Sequence, residues 1–125
     1  MKQFFIISFL LLFGVLNLSA TKSDRLLGKW QAYKMIHDGK TRGFEKSRRI
    51  PWIEFAEDHL LWTGEGKKQK KRGEWWLDED NKTIHLIIGN KKDVKMNLTR
   101  ISKKKLILDF KDGRSSTKAF WKKVS

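Results

Sequence analysis

Cysteine is absent from the 125 residues, and proline and tyrosine occur once each. Without cysteine there is no disulfide framework, no thiol nucleophile and no thiolate metal site. The fold has to rest on its core alone. Pro51, the single proline, leaves long stretches free of the residue that interrupts strand pairing. Acidic residues are scarce as well: 14 Asp and Glu stand against 28 Lys and Arg, a formal net charge of +14. Such an excess favours acidic small ligands, acidic lipids or polyanions as partners. Long apolar runs are limited to one, at residues 4–16, and it is shorter than the ~20 residues a spanning helix needs.

That run sits in a recognisable order. Met1-Lys2-Gln3 is a short positive start, residues 4–16 are apolar apart from Ser8 and Gly14, and Asn17-Leu18-Ser19-Ala20 is a polar, small-residue exit. These are the three regions of a secretory signal peptide, here residues 1–20, with cleavage expected near Thr21. The chain is therefore expected to be exported, to the periplasm or the medium. No cysteine follows to carry a lipid. Residues 21–125 are expected to form one domain, since their number is close to the commonest domain size. They hold all 14 acids and 27 of the 28 bases, a net +13.

Beyond residue 20 the pattern is one of short strands and tight turns. Strands are expected at 27–36, 50–56, 59–65, 72–77, 83–88, 94–101, 105–111 and 116–124. The alternation is clearest where Val94, Met96 and Leu98 interleave with Lys95, Asn97 and Thr99, and where Leu106, Leu108 and Phe110 interleave with Ile107, Asp109 and Lys111. Turn residues such as Glu57-Asp58, Gly89-Asn90 and Asp112-Gly113 punctuate the series. The longest connection, 37–49, has room for one helical turn. Eight strands in a meander leave two unpaired edges unless the sheet closes. The expected fold is thus all-β, an eight-stranded antiparallel up-and-down barrel, with a partly open, bent sheet as the alternative.

Leu26-Leu27-Gly28-Lys29-Trp30 at the head of this domain resembles the Gly-x-Trp signature on the first strand of lipocalins and of small bacterial lipocalin-like domains. The order Ile53-Glu54-Phe55, Gly73-Glu74-Trp75-Trp76, Thr83-Ile84-His85-Leu86 is similar to the bacterial pattern too. The resemblance implies that Trp30 closes the floor of the barrel and that the connections 37–49, 66–72, 89–93 and 111–115 surround its mouth. Two features depart from the family. Ser102-Lys103-Lys104-Lys105 replaces a Thr-Asp-Tyr-like turn, and the last strand offers Lys118, Lys122 and Lys123 where the family has an arginine over the tryptophan.

Catalytic and metal chemistry find little support. His37, His59 and His85 are scattered without ligand spacing and are expected on the surface. The acids gather in solvated turns, at 57–58 and 78–80, where no shifted pKa is expected. There is no nucleophile elbow and no phosphate-cradling glycine loop. The sequence is read as a binding module, with no catalytic residue, metal or cofactor expected. Its partner is expected to be a small amphiphile or another anionic ligand. Acidic glycans or a membrane surface are the alternative, along with an accessory or inhibitory role. Nucleic acid is disfavoured by export, and the chain is read as a monomer.

Charge locates the expected site. In an up-and-down barrel the four connections of the mouth carry +10, and the three of the floor carry −1. Arg42, Arg48, Arg49, Lys67, Lys68, Lys70, Lys71, Arg72 and Arg114 are the expected anion-binding residues, the arginines through their paired donors. Of the six tryptophans, Trp62 and Trp75 are placed on inward registers, where they would line a cavity or fill it. Trp76 is placed outward.

Overall fold

The computed structural model describes residues 21–44, 49–67, 69–89 and 93–125, without the side chains of 69 and 70. The expected signal peptide lies outside the described residues. Among these residues a short helix, α1 (Lys22–Leu26), precedes nine strands. These are β1 (Gly28–His37), β2 (Lys40–Gly43), β3 (Pro51–Phe55), β4 (Leu60–Glu65), β5 (Gln69–Leu77), β6 (Thr83–Ile88), β7 (Val94–Ile101), β8 (Lys105–Asp112) and β9 (Ser115–Lys123). Every pairing is antiparallel, and β1 also pairs with β9, which closes the sheet. Closure leaves no long edge to template association.

Eight strands make the barrel and the ninth is an appendage. The first half of β1 pairs with β3, through Gly28↔Phe55 to Gln31↔Trp52. Its second half pairs with β2, through Lys34↔Gly43 to His37↔Lys40. The connection expected as a loop at 37–49 is thus partly a strand. Asp38 and Gly39 turn it, both at positive φ (48° and 83°), the backbone that an Asp-Gly pair adopts readily in two-residue hairpins. Two irregularities, between Ala32 and Lys34 in β1 and between Leu98 and Arg100 in β7, shift the register. Such bulges bend strands and help a sheet curl.

The inward registers carry the core. Trp30, Ile53, Phe55, Leu61, Trp75, Ile84, Leu86, Leu98, Leu106, Leu108, Ala119 and Trp121 are all buried in one cluster with Leu26 and Phe44. Gly73 is required at its place in β5. A methyl group there would lie 2.1 Å from the Ile87 carbonyl oxygen on the neighbouring strand.

The floor explains the Gly-Lys-Trp motif. α1 is held by a capping box between Thr21 and Asp24, which satisfies backbone donors at both residues. It ends on the fully buried Leu26, whose carbonyl accepts the indole N–H of Trp30 at 2.9 Å. Gly28 sits at φ 125°, and any side chain there would meet the Ser125 carbonyl oxygen at 2.7 Å. Lys123 Nζ lies 5.3 Å over the Trp30 ring, so a lysine provides the cation over the floor tryptophan.

Candidate functional site

The basic run at 67–72, expected as a hairpin tip, is largely strand. β5 begins at Gln69, and Lys71 pairs with Thr63 while Arg72 pairs with Trp62. Alternation then sends successive bases to opposite faces. Lys71 shares the inward register of Thr63, and Arg72 shares the outer face with Trp62. Trp62 is consequently on the outer wall, across from Glu54 and next to the buried Leu61. Its expected inward placement is corrected by one residue of register, which flips every side chain of a strand. Trp75 is inward but belongs to the floor. Its indole N–H donates to the Ala56 carbonyl at 3.0 Å, and it meets Phe55 edge-on at 5.1 Å.

A cavity of about 250 Å³ opens at the opposite end. Pro51 and Ile53 of β3, Thr63 and Glu65 of β4, Lys71 of β5, Leu86 and Ile88 of β6, Met96 of β7 and Trp121 of β9 line it. The wall is apolar in depth, with Lys71 and Glu65 as its charged groups among the described residues. Trp121 is 8% exposed, and its Nε1–H is buried with no acceptor among the described residues. A buried donor left without a partner costs about 1–3 kcal/mol relative to a satisfied one. The floor and the cavity therefore differ in kind: the indoles of Trp30 and Trp75 are satisfied, whereas that of Trp121 is not.

Among the expected anion-binding residues whose side chains are described, Lys71 alone lines this cavity. Arg42 lies on β2, stacked 5.3 Å from the Phe44 ring. Lys67, Arg49 and Arg114 are exposed in the connections around the mouth. Lys67 borders a shallow outer groove with Lys29, Trp52 and Val124. Arg72 lies in another groove beside Glu57, Asp58 and Glu74. Arg48 and Lys68, and the side chain of Lys70, are outside the described residues. Sequence reasoning passed over Trp121, Thr63 and Glu65 as site residues. The signal was available in the registers that place Thr63 and Glu65 with Leu61, and Trp121 with Ala119.

His85 departs from its expectation as well. It is on the outward register but only 8% exposed. Trp76 stacks on it at 5.0 Å, with the rings 2° from parallel. Asp78 Oδ1 lies 2.9 Å from Nε2 and Asp93 Oδ2 lies 2.9 Å from Nδ1. The hydrogen bonds to Asp78 and then Asp93 raise its pKa above the ordinary 6.5, against the opposing effect of burial. Nearby, Asp80 accepts the backbone N–H groups of Lys82 and Thr83, and these hold its carboxyl below the usual value. Among the described residues no three His, Asp or Glu side chains gather as a metal site.

Comparison with protein-family models, with curated proteins and with solved structures finds no match for this chain.

Proposed function

We propose that this protein is an exported, lipocalin-like binding module that holds a small, mostly apolar acid in the mouth of its barrel. The observation that carries this reading is a cavity lined by Leu86, Ile88, Met96 and Trp121 whose entrance bears Lys71; the buried indole N–H of Trp121 has no acceptor among the described residues. A ligand's hydrocarbon would cover Leu86, Ile88, Met96 and the Trp121 ring, and a turn of that ring toward the cavity would let a ligand oxygen accept its N–H. A negative headgroup would be drawn to Lys71 and to the cations of the surrounding connections. Glu65 at the same entrance opposes an acid, so it tunes affinity downward and disfavours a ligand with a second negative charge.

Size narrows the class. The cavity has room for about eight water-sized groups at ~30 Å³ each. It falls below the usual ~300–1,000 Å³ of drug-sized pockets. A medium-chain or small aromatic carboxylate fits this description, and a long-chain lipid does not. The lipocalin-like reading rests on the Gly-Lys-Trp motif, the plugged floor and the up-and-down meander.

Isothermal titration with straight-chain carboxylates from about four to about fourteen carbons tests the reading. Affinity should peak near eight carbons. Trp121→Phe and Lys71→Gln should each weaken it by about tenfold, or ~1.4 kcal/mol, and Glu65→Gln should strengthen it. Heat that grows steadily to the longest chains, or no heat with any acid, would overturn the proposal.

A further inference from the structure

The barrel has a second charged feature that lies on its wall and not at its mouth. Registers of β1, β9, β8 and β7 place Lys34, Lys118, Lys122, Lys105, Lys111 and Arg100 on the outer face, with Asp109 as the acid among them. Asp109 is occupied by the hydroxyl of Thr99. The opposite wall is mixed in sign. On β3 to β6 and the start of β7 its outer registers hold Glu54 and Glu74 with Lys70, Arg72 and Lys95, and His85 lies there between Asp78 and Asp93 of the adjoining connections.

We infer that the β1–β9–β8–β7 wall is a binding surface for a linear acidic polysaccharide. This goes beyond the cavity and does not depend on it. Three considerations favour that partner. First, the wall is convex. Neighbouring strands of an eight-stranded barrel are turned by about 45° around its axis, so cations on β1 and β7 point more than about 90° apart. A flat bilayer meets only part of such a surface, whereas a flexible chain wraps it. Second, the two outer rings of the wall are already covered. Lys34 Nζ lies 4.3 Å from the Phe120 centroid, and Lys105 Nζ lies 4.3 Å from that of Tyr33. Single-stranded nucleic acid binds by stacking bases on open aromatic faces, and these faces are closed to it. Third, the same contacts hold two ammonium groups at fixed positions. That reduces the side-chain freedom lost when a partner binds. Five of the six cations are lysines, point charges suited to the repeated, loosely oriented acids of a sugar chain and less to one planar group.

Binding of polygalacturonate, a carboxylated polysaccharide, and dextran sulfate, a sulfated one, to the full domain by biolayer interferometry tests the inference. Uncharged dextran, oligothymidylate and vesicles of anionic phospholipid serve as the other arms. Both acidic polysaccharides should bind, and binding should weaken as salt rises from about 50 to about 500 mM. A variant with Arg100→Gln, Lys111→Gln, Lys118→Gln and Lys122→Gln should lose affinity by more than about tenfold. A variant of equal charge change at the mouth, with Lys40→Gln, Arg42→Gln, Lys67→Gln and Arg114→Gln, should lose much less. The two variants should match wild type in strand content by circular dichroism. Should the wall variant unfold, the exposed pair Lys111→Gln and Lys122→Gln, outside the ring contacts, provides the same comparison. Equal losses in wall and mouth variants would overturn the inference, as would tighter binding to oligothymidylate or to vesicles than to either polysaccharide. Octanoate in the cavity should leave polysaccharide binding unchanged, so failure of one proposal is distinguishable from failure of the other.

Discussion

The two ends of this barrel are built to different rules. At the floor, α1, Trp30, Phe55 and Trp75 fill the opening, and each buried indole donates to a backbone carbonyl. Toward the mouth a cavity remains, Lys71 and Glu65 share its lining, and the indole of Trp121 has no acceptor among the described residues. A fully satisfied, filled end contributes stability. An end with a gap and an unsatisfied donor sacrifices some stability and gains a place for a ligand. On the proposed reading, stability belongs to one end of the domain and recognition to the other.

Removing the floor is the strongest way to break that comparison. Trp30→Ala leaves a void under α1 and strips the cation contact from Lys123. Large aromatic truncations of this kind cost about 3–5 kcal/mol, a large share of the stability of a small domain. Calorimetry should show loss of most of the folded population near physiological temperature. A thermal midpoint that moves by only a degree or two would remove Trp30 from the core. Gly73→Ala should come next, at about 1–3 kcal/mol, because the new methyl group can be placed only by pushing β5 from the Ile87 carbonyl. Chemical denaturation reads this directly, and an unchanged midpoint would show that the strands yield freely there.

A smaller effect concerns the outer pin at His85. Asp78, Asp93 and the cross-strand Lys95 face it, with Trp76 stacked on its ring. Its raised pKa means that the fold favours the imidazolium. That contribution is complete below the ordinary value of 6.5 and is lost as pH rises through the raised value. Thermal melts should therefore show wild-type stability falling across that alkaline-side window, with His85→Gln flat over the same range. Parallel curves for the two proteins would contradict the assignment. Trp121→Phe should have the least effect on stability, within about 1 kcal/mol, because it removes an unsatisfied donor and keeps most of the ring volume. If it destabilises as much as Trp30→Ala, the mouth is simply another part of the filled core.

Much of the architecture was legible because alternation is a local signal. Val94 to Leu98 and Leu106 to Phe110 announce inward faces without reference to any partner strand. The floor was readable from Gly28-Lys29-Trp30, where the backbone itself demands glycine. The extra strand β2 was less visible, although Asp38-Gly39 is a strong hairpin pair, since Lys40-Thr41-Arg42-Gly43 has no apolar face. The site was harder still. Lys67 to Arg72 reads as a charged tip when hydropathy sets the strand boundary, and only pairing with β4 reveals that Lys71 turns inward and Arg72 outward. His85 shows the same limit. Its burial comes from Trp76, its cross-strand partner on β5, and from Asp78 and Asp93 in the adjoining connections, none of them beside it in sequence.

The ligand-binding mouth is the central claim, and the six tryptophans provide a direct test of it. Their indole N–H resonances can be followed in a ¹⁵N-labelled domain as octanoate is added. The Trp121 resonance should move to saturation while those of Trp30 and Trp75, already bonded to Leu26 and Ala56, stay in place. A Trp121 resonance that does not respond at saturating octanoate, or one that moves only in step with all the others, would contradict the account.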